Sequence, residues 1–181
     1  MTGSPDEGWP AVFLDRDGTL MRDVDYCGDP KDVEVFPEAA DALARLKKSG
    51  YKLVIVTNQS GIGRGYFSEA EYRAVEAEFL RQLGDGLIDA SYHCADVPTS
   101  SSIRRKPGPG MIFEAQRTQR IDLRRSFLIG DKASDIGCGR NASVRTILVQ
   151  TGSGASQINC GADWIARDIA HAVDIVLTQQ R

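Results

Sequence analysis

The sequence predicts an α/β protein, a three-layer sandwich with a central parallel sheet between two layers of helix. Two observations carry that expectation. Apolar runs of strand length alternate along the chain with longer segments of helical periodicity, the order that builds parallel sheets. One of the runs, Leu53-Val54-Ile55-Val56, is apolar in succession, as a strand covered on both faces requires.

Each element follows from local pattern. Residues 11–15 read as a buried strand. Residues 37–49 place Ala40, Leu43, Ala44 and Leu46 at helical spacing, with Gly50 as the stop. Residues 51–57 are the β-rich second strand. Ser68 and Glu71 have capping-box spacing and open a helix that runs to about Leu83. Residues 88–94 form a strand, 109–119 a helix, 127–130 a strand, 134–141 a short helix and 146–150 a strand. A last short strand near 162–166 precedes a helix from Asp168. Residues 1–10 read as a flexible leader, and 11–181 as one domain.

Composition narrows the class. The 181 residues are 41% apolar and 26% charged, ordinary for a globular protein. The net charge of −3, from 22 basic and 25 acidic side chains, gives no global field for nucleic acid. No apolar run is long enough to span a bilayer, and the start lacks the order of a secretory signal. Cys27, Cys94, Cys138 and Cys160 are scattered without a CxxC pair, which makes a reducing cytoplasm the expected location. A monomer is expected because no exposed amphipathic helix stands out.

In an open parallel sheet the active crevice lies beyond the carboxyl ends of the strands. The residues that follow the strands here are Asp15-Arg16-Asp17-Gly18-Thr19, Thr57-Asn58-Gln59-Ser60-Gly61, Arg105-Lys106-Pro107 and Gly130-Asp131-Lys132-x-x-Asp135. Carboxylates, hydroxyls, lysine and glycines therefore collect at one rim. Asp15 and Asp17 start on the same side of the extended chain, about 6.6 Å apart along it. A carboxylate attacks a phosphoryl group only when the negative charge of that group is screened, and Mg²⁺ with hard oxygen ligands does this. The expected roles are Asp15 as nucleophile and metal ligand, and Asp17 as general acid and base that lends its backbone carbonyl to the metal. Thr57 and Asn58 donate to the phosphoryl oxygens, Lys106 supplies a point charge, and Asp131 completes the Mg²⁺ site. Asp135 orients a metal-bound water or Lys106, or serves only as an acid in the first turn of a helix.

Together, Phe-Leu-Asp15-Arg-Asp17-Gly-Thr, Val-Thr57-Asn-Gln-Ser-Gly, Arg105-Lys106-Pro and Ile-Gly-Asp131-Lys-x-x-Asp resemble the four motifs of the haloacid dehalogenase superfamily. Within it the chain is similar to the D-glycero-D-manno-heptose 1,7-bisphosphate phosphatase group and, nearby, to histidinol-phosphate phosphatases. The resemblance implies a capless enzyme with a Rossmann-like sheet acting on a small phosphorylated sugar. It leaves open which phosphate is released. It also implies that Asp23–Tyr26 and residues 57–60, with Gln59 and Ser60 among them, line the substrate pocket. Arg105 would bind a second anionic group and Lys132 would touch substrate. Arg104 reads either as part of the same electropositive rim or as a solvated turn residue. Relatives of this kind place a cysteine–histidine pair and a later Cys-x-Cys before Arg-Lys-Pro, where they bind a structural Zn²⁺. Here Asp96, Ser102 and Arg104 stand at ligand positions beside Cys94, so no structural Zn²⁺ is expected.

Three alternatives stand beside this reading. One is a phosphatase of the same fold acting on histidinol phosphate or another sugar phosphate. A second is a nucleic-acid 3′-phosphatase, because Thr57–Gly65 and Lys106–Met111 also resemble the phosphatase domain of polynucleotide kinases. The acidic net charge counts against it. The third, a non-catalytic binding module, fits poorly with an intact set of Asp15, Asp17, Thr57, Lys106 and Asp131.

Overall fold

The computed structural model describes residues 8–179. Six parallel strands form one sheet in the order β3-β2-β1-β4-β5-β6, with β1 (Ala11–Leu14), β2 (Lys52–Asn58), β3 (Ala90–Cys94), β4 (Phe127–Gly130), β5 (Arg145–Val149) and β6 (Trp164–Ala166). The helices are α1 (Ala39–Lys48), the single turn α2 (Ser60–Gly63), α3 (Glu69–Leu83), α4 (Gly110–Gln119), α5 (Ala133–Asn141) and α6 (Ile169–Thr178).

Strand periodicity divides the core in two. Val12, Leu14, Leu53 and Ile55 face one side, where they meet Leu43 and Leu46 of α1, Val75 and Phe79 of α3 and Val173 of α6. Ala11, Phe13, Val54 and Val56 face the other, against Met111 and Ile112 of α4 and Cys138 of α5. Both faces of β1 and β2 are thus covered, which is why their sequences are apolar without alternation. Ser68 and Glu71 close the reciprocal capping box at the start of α3, and Asp168 caps α6 through the His171 N–H at 2.8 Å. Each such cap stabilises its helix by about 1 kcal/mol.

β3 starts at Ala90, later than its apolar pattern, because Asp89 does other work. Its carboxylate accepts the Leu53 N–H at 2.7 Å and pairs with Lys47 at 2.8 Å. Residues 1–7 of the expected leader lie outside the described residues. Its end is anchored: Trp9 N–H donates to the Arg120 carbonyl at 2.8 Å and Asp122 N–H to the Trp9 carbonyl at 2.9 Å. The Trp9 ring itself is 57% exposed.

The chain builds β1, β2 and β3 outward in one direction, then returns past β1 to build β4, β5 and β6 in the other. β1 is therefore central, and the crevice beyond its carboxyl end is the switch point of the sheet. Among the described residues no helix is long and apolar enough to cross a membrane.

Candidate active site

Asp15 leaves the carboxyl end of β1 and is almost fully buried. The chain turns immediately, with Gly18 N–H donating to the Met21 carbonyl at 2.8 Å and Leu20 N–H to the Arg16 carbonyl at 3.0 Å. A cleft of about 260 Å³ opens above this turn. Asp15, Asp17, Asp23, Tyr26, Thr57, Asn58, Gln59, Ser60, Arg105, Lys106 and Lys132 all line it, with Asp25, Ser134 and Asp135. Residues from the ends of β1, β2 and β4 and from the connection between β3 and α4 thus share one cavity, as the sheet order requires.

Lys106 is the cation at its floor. Its ammonium lies 2.6 Å from one oxygen of Asp15, 2.6 Å from one oxygen of Asp135, and 2.8 Å from the Val56 carbonyl. The loop that carries it is locked to β2, because the Asn58 amide donates to the Lys106 carbonyl at 3.1 Å and accepts the Lys106 N–H at 3.0 Å. Asp135 therefore orients Lys106, and its second oxygen accepts the Lys132 N–H at 2.9 Å at the start of α5. Burial disfavours the Lys106 charge, but Asp135 and Asp15 outweigh it and hold the ammonium above its ordinary pKa.

Asp131 follows β4 and is fully buried. One oxygen accepts the Ser153 N–H at 2.8 Å, while the other, Oδ1, has no hydrogen-bond partner. Backbone walls hold it in place. A Cβ on Gly18 (φ +86°) would come within 2.5 Å of the carboxylate, and one on Gly152 (φ +52°) within 2.3 Å. Oxygens of Asp15, Asp131 and Asp135 lie within 4.8 Å of one another. Burial, aided by neighbouring carboxylates against the pull of Lys106, pushes Asp15 up to about 8. Burial likewise raises Asp131 to about 6, against Lys132 and the Ser153 N–H. Three buried carboxylates and one ammonium carry a formal charge of −2 when ionised. The orphaned Asp131 oxygen and that charge fit a hard divalent cation.

Asp17 points to a different set of partners. Arg16 grips both of its oxygens, Nε to Oδ2 at 3.1 Å and Nη2 to Oδ1 at 3.0 Å. The Gln59 amide donates to Asp17 Oδ2 and to the Thr57 hydroxyl oxygen, each at 2.8 Å. The Gln59 amide thus faces the other site residues, although the side chain also lines the cleft. Arg16 is the residue the sequence reading missed; its place between two aspartates was the available signal.

At the rim, Lys132 pairs with Asp23 at 2.9 Å. Tyr26, at φ +55°, packs edge-on against Tyr66 with ring centroids 4.6 Å apart. Arg105 donates to the Asp96 carbonyl at 2.8 Å. Arg104 does not line the cleft: its Nη1 donates to both oxygens of Glu114 of α4, at 2.7 and 2.9 Å, and its Nη2 donates to the His93 carbonyl. Cys94 donates to the Asp96 carboxylate at 3.3 Å, and hydrogen bonds from Ser102 and Cys94 hold that carboxyl below its ordinary pKa. The loop before Lys106 is thus tied by its own side chains.

The chain matches known proteins along most of its length. Residues 12–84 match the family model described as haloacid dehalogenase-like hydrolase, and 103–172 match a HAD-hydrolase-like model. A D-glycero-beta-D-manno-heptose-1,7-bisphosphate 7-phosphatase of Salmonella typhi is 37% identical over 95% of this chain and 97% of its own. The protein of the same name from Escherichia coli K12 is 36% identical over 95% and 96%. A crystal structure of D,D-heptose 1,7-bisphosphate phosphatase from B. bronchiseptica, complexed with magnesium and phosphate, superposes with a TM-score of 0.87. It is 30% identical, over 94% of this chain and 99% of that one. With relatives of this similarity spanning nearly its whole length and its sheet carrying the motif residues at one rim, the chain belongs to the haloacid dehalogenase-like hydrolases.

Proposed function

We propose that the protein hydrolyses the 7-phosphate ester of D-glycero-D-manno-heptose 1,7-bisphosphate through a phosphoryl group carried on Asp15. The observation that carries this is the buried Asp15 carboxylate, held against the Lys106 ammonium at the floor of a cleft lined by the ends of β1, β2 and β4 and the connection before α4. The names of the similar phosphatases supply the substrate and the choice of ester.

An oxygen of Asp15 attacks phosphorus as the bond to the substrate oxygen breaks. Lys106 and the Thr57 hydroxyl, which both line the cleft, would stabilise the charge on the transferred group. Asp17 gives a proton to the departing alkoxide. It then takes one from water, which attacks the same phosphorus and releases inorganic phosphate with the Asp15 carboxylate restored. Asp15, Asp131 and the backbone carbonyl of Asp17 would hold Mg²⁺, which when bound screens the phosphate charge from the nucleophile. Arg105, at the rim, would clamp the second phosphate through its planar fork. Asp23 and Tyr26 would meet the sugar.

The test is phosphate release with Mg²⁺ across both anomers of heptose 1,7-bisphosphate, histidinol phosphate, hexose phosphates and a 3′-phosphorylated oligonucleotide. Selection for the heptose bisphosphate with loss of the 7-phosphate is expected. Selection for another ester discards the substrate, and turnover by Asp15→Asn refutes the mechanism.

A further inference from the structure

We propose that Arg16, with Gln59 opposite it, is a positioning clamp that sets the carboxyl of Asp17 for proton transfer to the leaving group. This rests on the acid–base role given to Asp17 above.

The geometry separates this role from ordinary packing. Arg16 is only 1% exposed, and burying a guanidinium costs several kcal/mol. A Leu or Met could fill the same volume without that cost. The charge answers to one carboxylate, its sequence neighbour Asp17, through two hydrogen bonds of 3.0 and 3.1 Å. A bond between adjacent residues closes no loop and joins no two elements. What it fixes is the orientation of the Asp17 side chain, whose terminal torsion is otherwise broad.

The clamp has three further parts. The guanidinium lies over the Tyr72 ring of α3, 5.5 Å from its centroid, a cation–π contact that holds it against that helix. Its Nη1 has no hydrogen-bond partner and is buried. That orphaned donor is tolerated although it costs about 1–3 kcal/mol, so the fork is placed for Asp17 rather than for its own satisfaction. From the other side, the end of β2 brings the Gln59 amide to Asp17 Oδ2 at 2.8 Å, and the Thr57 hydroxyl stands at 3.5 Å. With both oxygens held, the carboxyl plane is fixed relative to β1, which also carries the nucleophile.

The chemistry supplies a test that a merely structural role would not move. Protonation matters for a poor leaving group such as a sugar alkoxide, where general acid catalysis contributes about 10²–10⁴-fold. A p-nitrophenolate departs without it. The readout is the ratio of kcat/KM for p-nitrophenyl phosphate to that for heptose 1,7-bisphosphate, because kcat/KM ends at phosphoryl transfer and omits the later water attack. It is measured for the wild type, Arg16→Lys, Gln59→Leu and, as reference, Asp17→Asn, each checked for a cooperative melt.

Asp17→Asn should raise the ratio at least about 100-fold, the low end of the contribution of a general acid. Arg16→Lys and Gln59→Leu should each raise it at least about tenfold, since lysine keeps the charge but not the fork. A ratio within about threefold of wild type in a folded Arg16→Lys, set against a normal rise in Asp17→Asn, overturns the clamp and leaves the acid role standing. If Arg16→Lys does not fold, Arg16→Gln decides by the same threshold, because position 16, unlike Gln59, does not line the cleft. An unchanged ratio in Asp17→Asn removes the acid role, and the clamp falls with it.

Discussion

Replacing Lys106 by methionine removes the only positive charge within contact of both Asp15 and Asp135 among the described residues. The side chain is 2% exposed, so water does not substitute for the ammonium. Each 2.6 Å contact is worth about 6 kcal/mol in gross Coulomb energy at an effective dielectric near 20, and desolvation cancels much of it. Removing one partner of a buried pair typically costs about 3–5 kcal/mol, because the charges left behind stay buried. For a chain of this size that is a fall of roughly 6–20 °C in Tm. The measurement is thermal unfolding at pH 8 in chelator, with phosphate release followed separately in Mg²⁺. Lys106→Met paired with Asp135→Asn supplies the decisive contrast. The amide keeps an oxygen for the Lys132 N–H but removes the like charge, so the double variant should recover at least half of the lost Tm. Its kcat should stay about 100-fold or more below wild type, because the charge proposed to stabilise the phosphoryl group is still missing. A Lys106→Met protein that melts within about 2 °C of wild type, or a double variant no more stable than the single, refutes this electrostatic account.

In chelator, stability should fall as pH rises from about 5 to 8. Asp15 and Asp131 hold protons in the fold, with values near 8 and 6, that the unfolded chain has already released. The Tm gain on adding Mg²⁺ should therefore grow with pH, and a gain that shrinks contradicts the proposed metal site. Gly152→Ala should raise the Mg²⁺ concentration for half-maximal activity at least about tenfold, because its Cβ would come within 2.3 Å of Asp131 at φ +52°. A Mg²⁺ titration that overlays wild type would show the loop yielding instead. Arg105→Ala should reduce kcat/KM for a sugar bisphosphate at least about tenfold more than for the matching monophosphate. Equal losses would deny the second-anion clamp.

Much of this site was legible because strand ends announce themselves. Apolar runs stop at Asp15, Thr57 and Asp131, and parallel topology brings such ends to one rim. What could not be read was the direction in which long side chains turn once there. Arg104 and Arg105 are neighbours of one type, yet Glu114 on α4 draws the first away while the second lines the cleft. Arg16 meets Asp17 while its guanidinium lies on Tyr72, far along the chain, and Gln59 reaches the same carboxylate from beyond the end of β2. The late start of β3 has the same origin, since the Asp89 carboxylate is taken by Leu53 and Lys47. Such choices depend on tertiary partners that no local periodicity encodes.

The order β3-β2-β1-β4-β5-β6 also sets a timetable for the ribosome's product. Asp15 and the Thr57 loop emerge early, on strands that can pair with each other at once. Lys106 and Asp131 arrive only with the second half, and until β4 docks one edge of β1 stays open. An unpaired edge beside apolar strands is an aggregation hazard, so the nascent chain is most vulnerable just before it acquires any chemistry. Two fragments divided in the 95–109 connection would each be inert, and phosphatase turnover would report their reunion along β1 and β4.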